Sequence, residues 1–509
     1  MPLRRAGILL ANCSKYEKFW ENPPETPVMW IGLLFATMCA ATLYEQFSPN
    51  ESAAIFHQES TPDPKHLILR YREKIIQCLI LGNYTKCSPY TIEALLLYLH
   101  AESVRSEDTQ IGNWVLLGII IRLALRMGYH IDASYFPRVT VFEVEMRRRT
   151  WMVIFMLDVF TSAQVGLPRM IKDSQGDTAP PKNLMDEDLH KNMKELPIDR
   201  LDTVQTPVQF FAAKNRIVHV FGRIIDLTTT APPCSYEDIM ALDKVLHDTY
   251  KAIPQWLAMR SITQSIMDAP ELTVRRIYVD LLFNKARCIL HRKYMLEART
   301  NINFMYSRTV CIEAALRILE IQRDMGEEMQ IGGRLYEDRW KVSSIVKHEF
   351  LLATTILCFD LNHDMNVKMS SEDSKSSLGV AARENVVKAL SDSYSVWLRA
   401  SGSSKEARKA VEVLRIVLGK AQRLSTANSQ NMEEATAGEY GESILQRPEP
   451  INFMVTSRRS RGMQILPPMD EGRWGDGDLA AALEMNGEPG DLVCDLVSAY
   501  NWVTVADML

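Results

Sequence analysis

Residues 111–130 have the sequence IGNWVLLGIIIRLALRMGYH, and residues 141–168 have the sequence VFEVEMRRRTWMVIFMLDVFTSAQVGLP. Apolar residues recur every three or four positions in the first stretch, which predicts a helix with one buried face. Gly128 suits the left-handed conformation that commonly ends such a helix. Just before the second stretch, Thr140 lies three residues ahead of Glu143, and this capping-box spacing predicts a helix start. Two neighbouring helices therefore form the centre of the predicted fold.

Asp158 is the residue of the second helix that most needs a partner. It lies seven residues after Trp151, so the two side chains fall nearly on one line of the helix and face inward. A buried carboxylate requires a hydrogen-bond or charge partner. The candidates are Arg122 and Arg126 of the first helix and Arg147 of the second. We expect an internal ion-pair network that fixes the register of the two helices.

Three consecutive arginines, Arg147, Arg148 and Arg149, invite a nucleic-acid or nuclear-import interpretation. Three successive helical residues spread over about 200° around the axis, so they cannot form one compact phosphate-binding face. Glu143 and Glu145 stand close by in the sequence. A structural role, as salt bridges that brace the helix, is therefore favoured.

Helical periodicity also dominates the rest of the chain. Alternating strand patterns bounded by Asn-Gly or Asp-Gly turns are missing from the sequence. The predicted fold class is therefore all-α, with one large multi-helix domain. We predict twelve helices, at 28–46, 67–81, 91–103, 111–129, 141–165, 206–228, 236–251, 272–298, 306–323, 342–361, 379–399 and 404–423.

Composition limits the classes of function. Lysine and arginine number 58 against 63 aspartates and glutamates, and the net charge of −5 argues against broad nonspecific nucleic-acid binding. The nine cysteines contain no Cys-x-x-Cys pair, which predicts reduced buried thiols in an intracellular protein. The uncharged run over 28–44 falls at the lower length limit of a membrane span. We interpret this run as a buried core helix.

The composition changes after residue 424. Residues 425–468 begin with a stretch rich in Ser, Asn, Glu, Thr and Gly, which predicts a flexible linker. Residues 469–509 hold nine acidic residues and a single arginine, a net charge of −8. Acidic residues interleaved with aromatic ones are typical of activation segments, and the predicted activation contacts are Trp474, Tyr500 and Trp502. The alternative is a C-terminal helix that packs on the domain.

The central stretch resembles the middle-homology, or fungal-specific transcription factor, domain that accompanies Zn2Cys6 binuclear-cluster regulators. That family shows Arg-x-Ala-x-x-x-Gly-x-His, then Glu-x-Arg-Arg-Arg-x-Trp, an Asp, and Gly-Arg-Pro. Leu167 stands where the family most often has the last arginine. The matching residues, which form the family's structural motif, are Arg122, Ala124, Gly128, His130, Glu145, Arg147, Arg148, Arg149, Trp151, Asp158, Gly166 and Pro168. The resemblance implies a regulatory domain over residues 1–424 and a transcription regulator located in the nucleus.

The sequence departs from this family in one respect. The family's DNA-binding module needs six cysteines, opening with Cys-x2-Cys-x6-Cys, whose thiolates share two zinc ions. This sequence has no such set. No cofactor is therefore expected in this chain, and zinc is expected only if an upstream Zn2Cys6 module is missing. We expect either a protein that lacks its own DNA reader or a truncated product.

The resemblance also implies partners. These are coactivators or other proteins of the transcription machinery, and a second copy of the chain or a cluster-bearing regulator in a homodimer or heterodimer. DNA would be contacted only indirectly, and no membrane is expected. The helical domain is also a candidate to sense a small metabolite, although no residue of the sequence identifies the ligand.

A helical metal-dependent enzyme of the terpenoid-cyclase type is the alternative function. Two groups of acidic residues are candidates for a magnesium site, 186–188 and the set Asn362, Asp364 and Glu372. Neither has the full spacing, since Lys368 stands where a hydroxyl ligand would be needed. We therefore predict that the chain is not an enzyme and that it has no catalytic, cofactor-binding or metal-binding residue.

Overall fold

The computed structural model describes residues 25–45, 63–105, 111–201, 203–229, 235–260, 263–265, 267–336, 344–370 and 380–437. Within these ranges the chain forms thirteen α-helices and no strand, which confirms the all-α prediction. The helices are α1 Val28–Glu45, α2 Pro64–Leu81, α3 Thr91–Arg105, α4 Ile111–Arg126, α5 Val141–Val165, α6 Pro207–Thr229, α7 Tyr236–Lys251, α8 Pro270–His291, α9 Tyr294–Glu297, α10 Met305–Glu328, α11 Ser344–Ser370, α12 Val380–Ala400 and α13 Lys405–Ala437.

Each of the twelve predicted helices is present, with three main differences in extent. α11 runs to Ser370, nine residues past its predicted end at 361. The predicted helix 272–298 is interrupted, because α8 ends at His291 and the short α9 begins at Tyr294. α13 runs to Ala437, so the first part of the predicted linker is helical. The reason is that Gln, Met, Glu and Ala recur there, and these residues favour helix despite the polar composition. The limits of the predicted domain, linker and tail stay predictions.

α1 lies in the protein core. Trp30, Leu33 and Cys39 are at most 1% exposed, and α1 packs against α2 and α3. In the described part of the chain, no helix is both long enough and apolar enough to cross a bilayer. The interpretation of residues 28–44 as a buried core helix is confirmed.

The helix that carries the three arginines lies amid the main core. Ile120 of α4, Ile154 of α5 and Ile217 of α6 have no exposed surface and belong to one continuous cluster of buried apolar residues. α5 packs against both α4 and α6. α5 also buries three charged side chains, Glu145, Arg149 and Asp158.

The later helices pack around α10, which contacts α8, α11 and α12. Where α8 and α10 cross, Cys288 and Cys311 each direct the thiol toward the other's backbone carbonyl, at 3.8 and 3.7 Å. The six cysteines within the described ranges form no disulfide, and all but Cys87 are buried. This is the arrangement expected of reduced thiols in a helical core.

Candidate functional site

α5 begins and ends where the sequence indicates. Thr140 accepts a hydrogen bond from the Glu143 amide, and the Glu143 carboxylate accepts one from the Thr140 amide, so the predicted capping box is confirmed. Gly166 ends the helix at φ 72°, and Gly128 has φ 74° after α4, the left-handed region that favours glycine. Beyond Gly166 the chain returns along α5. We call residues 166–201 the return segment.

Asp158 holds the beginning of the return segment. Its side chain is 2% exposed, and its two carboxylate oxygens accept the backbone amides of Met170 at 3.2 Å and Ile171 at 2.7 Å. Burial raises the pKa of Asp158, and the two amides oppose that shift. The carboxylate therefore fixes the position of a loop against α5.

The predicted ion pairs between Asp158 and the neighbouring arginines were wrong. Arg122 and Arg126 donate to the carbonyl oxygens of Gly118 and Thr85, at 3.4 and 2.9 Å. Arg147 donates to the Met127 carbonyl at 3.1 Å, and its guanidinium lies 4.7 Å from the centre of the Tyr129 ring. The physical reason is that the return segment brings backbone N–H donors directly over Asp158, and these satisfy the carboxylate without a second side chain.

Arg148 links α5 to the loop that follows α4. Its guanidinium donates two hydrogen bonds to Asp132, both at 2.8 Å. The bidentate contact holds the pKa of Asp132 well below its usual range. Asp132 also accepts the backbone amide of Ala179 at 2.9 Å. One buried aspartate therefore joins α5, the loop after α4 and the return segment.

Arg149 forms a second junction with the return segment. It donates to Glu145, one turn earlier on α5, at 2.9 Å and to Asp186 at 2.8 Å. It also donates to the Leu184 carbonyl at 3.2 Å. Glu145 has no exposed surface and accepts the backbone amide of Lys182 at 3.2 Å. Its pKa is raised by burial, although Arg149 acts to lower it.

These contacts support the structural interpretation of the three arginines. Arg148 and Arg149 pair with buried carboxylates, and Arg147 is engaged by a carbonyl and an aromatic ring. A side chain held in this way is unavailable for a phosphate unless the fold rearranges. Arg149 and, through Asp132, Arg148 brace the return segment, and Arg147 braces the end of α4.

The remaining motif residues make close packing possible. Ala124 is fully buried, and the His130 ring centre lies 6.3 Å from that of Trp151. The His130 carbonyl accepts the Asp177 amide at 3.0 Å. A side chain at Gly176 would place its Cβ 2.4 Å from that same carbonyl oxygen. Only glycine therefore allows the return segment to pass this close to the loop that follows α4. Pro168 follows the turn at Gly166, and it is exposed.

Arg169 is a buried cation that the sequence did not single out. Its side chain is 1% exposed and pairs with Asp226 of α6 at 2.7 Å and with Asp173 at 3.0 Å. Gly222 of α6 makes room for it, because a Cβ there would lie 3.0 Å from the guanidinium. A glycine inside a predicted helix was the available signal, since it marks close approach of another group.

A cavity of about 550 Å3 opens between α5, α6 and the return segment. No residue pattern of the sequence predicted it, because its walls come from three separate segments. Its apolar lining includes Trp151, Met152, Phe155, Val208 and Ala212. Its polar and charged lining includes Arg148, Lys172, Asp173, Lys182, Asn183, Asp199, Arg200, Asn215, Arg216 and His219.

A second group of buried charges lies among the later helices. Arg308 of α10 donates to Asp360 of α11 at 3.0 Å and to Asp364, one turn further along α11, at 3.1 Å. Arg299, just after α9, pairs with both aspartates. We call these four residues the inner charge cluster. All four are at most 9% exposed at the side chain, and no motif of the sequence predicts that they meet.

The acidic groups considered for magnesium are already paired. Asp186 bonds to Arg149, Asp188 accepts two hydrogen bonds from Arg200, and Asp364 belongs to the inner charge cluster. Residue 372 lies outside the described residues. Among the residues that are described, no group of three or more His, Cys, Asp or Glu side chains is placed to hold a metal ion.

A zinc cluster also does not fit the residues in this chain. The nine cysteines lack the spacing of a binuclear site. Cys39, Cys78, Cys288, Cys311 and Cys358 are buried within helices. Burial raises the pKa of the Cys39 thiol to about 11 and that of Cys358 to about 12, which opposes the thiolate form that zinc requires. Trp474, Tyr500 and Trp502, the predicted activation contacts, lie outside the described residues.

Comparison with known proteins identifies the relatives of this chain. Residues 10–258 match the model of the fungal specific transcription factor domain. The chain is 52% identical to the Zn(2)-C6 fungal-type transcription factor pigI of Monascus ruber, over 80% of this chain and 49% of pigI. It is 39% identical to the pyrrolocin cluster transcription factor fsdR of Fungal sp. (strain NRRL 50135), over 80% of this chain and 54% of fsdR.

A third relative is matched over more of its length. The chain is 32% identical to the transcription factor cghF of Chaetomium globosum, over 79% of this chain and 69% of cghF. The chain spans only about half the length of pigI and fsdR. No solved structure matches the chain significantly. The domain match, these relatives and the all-helical fold built around the motif show that the chain belongs to the family of fungal regulators with the fungal-specific transcription factor domain.

Proposed function

We propose that this chain regulates transcription in the nucleus, and that it acts through its helical domain and its partners rather than through catalysis. The observation that carries this proposal is the 52% identity to a Zn(2)-C6 fungal-type transcription factor over 80% of this chain. The enzyme of terpenoid-cyclase type receives no support from the relatives, all of which are named transcription factors among those compared.

Contact with DNA is proposed to be indirect. The net charge is −5 and the cysteines do not form a binuclear set. The three arginines that most resemble a nucleic-acid patch are bonded within the domain. We infer that a second protein supplies the DNA reader, either a cluster-bearing regulator in a heterodimer or another partner bound by a homodimer of this chain.

The target genes are proposed to form one gene cluster. This follows from fsdR, which is named as a pyrrolocin cluster transcription factor. Chromatin immunoprecipitation of the tagged chain should enrich promoters within one contiguous group of genes, and enrichment scattered over unlinked promoters would contradict this part.

The acidic tail is the segment proposed to contact the transcription machinery. Residues 469–509 carry a net charge of −8 with aromatic residues spread among the acids. Charge keeps such a segment solvated, and aromatic side chains supply the apolar surface that a partner groove can bury. Trp474, Tyr500 and Trp502 are the side chains proposed to enter that groove.

A tethered-reporter assay tests the proposal. The full chain, fused to a foreign DNA-binding domain, should activate the reporter, and a fusion that ends at residue 424 should not. Replacing Trp474, Tyr500 and Trp502 with alanine should lower activation. The matched control replaces Ser498, Asn501 and Thr504, three polar residues of the same tail, and should leave activation unchanged.

Three results would contradict parts of this proposal. A full-chain fusion that leaves the reporter unchanged would contradict regulation by recruitment. Equal activation by the fusion that ends at residue 424 would place the activity in the helical domain and reject the tail. Equal loss in the aromatic and polar variants would reject the specific role of the three aromatic residues.

A further inference from the structure

We propose that the cavity between α5, α6 and the return segment binds a small organic monoanion with an apolar, ring-containing body. This inference concerns a ligand of the isolated domain and goes beyond the regulatory function proposed above. Its test is a binding measurement on purified protein, so it can fail or succeed independently of any reporter result. The shape, the lining and the charge of the cavity each contribute to it.

The size of the cavity fits a small molecule. Its volume of about 550 Å3 lies within the range of roughly 300–1,000 Å3 that is usual for small-molecule and cofactor sites. The cavity is set between two helices of the main core and a segment that is tied to α5 by Asp158, Asp132 and Arg149. A preformed wall of this kind lowers the ordering cost of binding.

The floor of the cavity is apolar and partly aromatic. α5 contributes Trp151, Met152 and Phe155, and α6 contributes Val208 and Ala212. Phe155 lies three and four residues after Met152 and Trp151, and Ala212 lies four residues after Val208, so the residues of each helix share one face. Aromatic and thioether side chains stack well on rings. The floor therefore favours a ligand with an apolar ring system.

Most charges at the rim already cancel one another. Arg148 pairs with Asp132, and Arg200 pairs with Asp188. Lys172 and Arg169 together face Asp226 and Asp173. These groups contribute no net charge to the cavity. They line the cavity without attracting a charged ligand.

Lys182 and Arg216 are the cations that remain. Neither has a carboxylate within 4 Å among the residues that the structure describes, although the backbone amide of Lys182 bonds to Glu145. Asp199 is the opposing anion of the lining and accepts the backbone amide of Asn183 at 3.0 Å. Burial lowers the pKa of His219, so its ring is neutral at pH 7. Two cations and one anion leave a single positive charge, which matches a monoanion.

The cavity also offers a hydrogen-bond acceptor. The side-chain carbonyl oxygen of Asn215 is buried and has no hydrogen-bond partner within the described ranges, and Asn215 lines the cavity. An unpaired buried acceptor is costly. A ligand that carries a hydroxyl or an amide N–H could satisfy this oxygen while its anionic group lies near Lys182 and Arg216. His219, which also lines the cavity, stacks on Phe155 with ring centres 4.1 Å apart.

The test uses the full chain and two fluorescent probes. 8-Anilinonaphthalene-1-sulfonate has an aromatic body and one negative charge, and N-phenyl-1-naphthylamine has the same body without the charge. We expect the anionic probe to bind with one-to-one stoichiometry and at least about fivefold more tightly than the neutral probe, since one uncompensated cation contacts the sulfonate. Energy transfer from tryptophan should accompany binding, because Trp151 lines the floor.

Two sets of variants separate the charge from the floor. The double variant Lys182→Ala with Arg216→Ala should lower the affinity for the anionic probe about tenfold. Its affinity for the neutral probe should stay within about twofold of that of the unaltered chain. Ala212→Phe should lower the affinity for both probes, because the larger side chain occupies part of the cavity next to its apolar lining. Arg223→Ala is the matched control, since Arg223 is exposed on the same helix and does not line the cavity. Its probe affinities should equal those of the unaltered chain.

The proposal would be overturned by any of three results. The first is the absence of one-to-one binding by the anionic probe. The second is equal binding of the two probes by the unaltered chain. The third is unchanged affinity in both Ala212→Phe and the double cation variant, each shown to be folded by circular dichroism and thermal melting.

Discussion

The return segment and the inner charge cluster bury charged side chains in two different ways. At the return segment, Asp158 and Glu145 of α5 accept backbone amides, and Arg149 donates to one backbone carbonyl as well as to carboxylates. In the inner charge cluster, Arg299 and Arg308 donate to the side-chain carboxylates of Asp360 and Asp364, and Arg299 also donates to the Asp360 carbonyl. The first arrangement fixes a loop beside an open cavity, and the second fixes helices against one another.

The difference shows what each region can tolerate. A loop held by several separate bonds can lose one of them and keep the others, because the bonds lie at residues 158, 132, 145 and 149. The inner charge cluster shares two aspartates between two arginines. Loss of one aspartate there leaves buried positive charge behind, which is among the more costly changes in a protein interior.

The largest expected effect is therefore in the inner charge cluster. Asp360→Ala should lower the free energy of unfolding by about 3–5 kcal/mol, because Arg299 and Arg308 would each lose a buried carboxylate partner. Urea unfolding followed by circular dichroism measures this change. Asp324→Ala is the control, since its pair with Arg323 is partly exposed, and it should cost no more than about 1 kcal/mol. Equal effects in the two variants would show that burial does not govern the cost.

The second largest loss in the free energy of unfolding is expected at Asp158. Asp158→Ala leaves the Met170 and Ile171 amides without their acceptor and should cost about 2–3 kcal/mol in the same assay. Asp158→Asn should cost less than alanine but more than nothing, since an amide oxygen accepts from only one of the two opposed amides. Unchanged melting temperature in both variants would mean that Asp158 does not hold the return segment.

The contact between Asp132 and Arg148 predicts a dependence on pH. The pKa of Asp132 is held below its usual range by Arg148, so the folded state favours the carboxylate. The stabilisation is present above the unfolded pKa of about 3.9 and is lost as pH falls toward the lower folded value. Asp132→Asn should be less stable than the unaltered chain at pH 6, and the difference should shrink between pH 4 and pH 2. A difference independent of pH would contradict this linkage.

Substitution of Arg147 should cause the smallest loss in the free energy of unfolding. It makes one hydrogen bond to a carbonyl and a cation–π contact with Tyr129, which together contribute about 1 kcal/mol. Arg147→Ala should therefore lower the free energy of unfolding by less than Asp158→Ala. A loss equal to that of Asp360→Ala would remove the distinction between the arginines of α5 and the inner charge cluster.

Much of the fold could be predicted because helices depend on local patterns. The capping box at Thr140 and the glycine at 166 mark the two ends of α5. The uncharged run of α1 was correctly interpreted as core. The break between α8 and α9 was missed, since no Pro or Gly stands between His291 and Tyr294.

The contacts of the site were harder to predict than its helices. The partners of Asp158 are backbone amides, which every residue except proline possesses, so nothing in the sequence singles out Met170 and Ile171. The inner charge cluster joins residues 52 to 65 positions apart, and such pairing depends on how the helices pack. The cavity likewise exists only where the return segment crosses α5 and α6.

Hydrogen exchange on Asp158→Ala is the most direct test of the claim that the motif braces the return segment. Peptides that cover residues 169–183 should exchange faster in the variant than in the unaltered chain, by at least about tenfold at neutral pH. Peptides of α11 that contain Asp360 should keep their protection. Equal acceleration of both regions would show that Asp158 supports the whole domain, and unchanged exchange at residues 169–183 would contradict the bracing role.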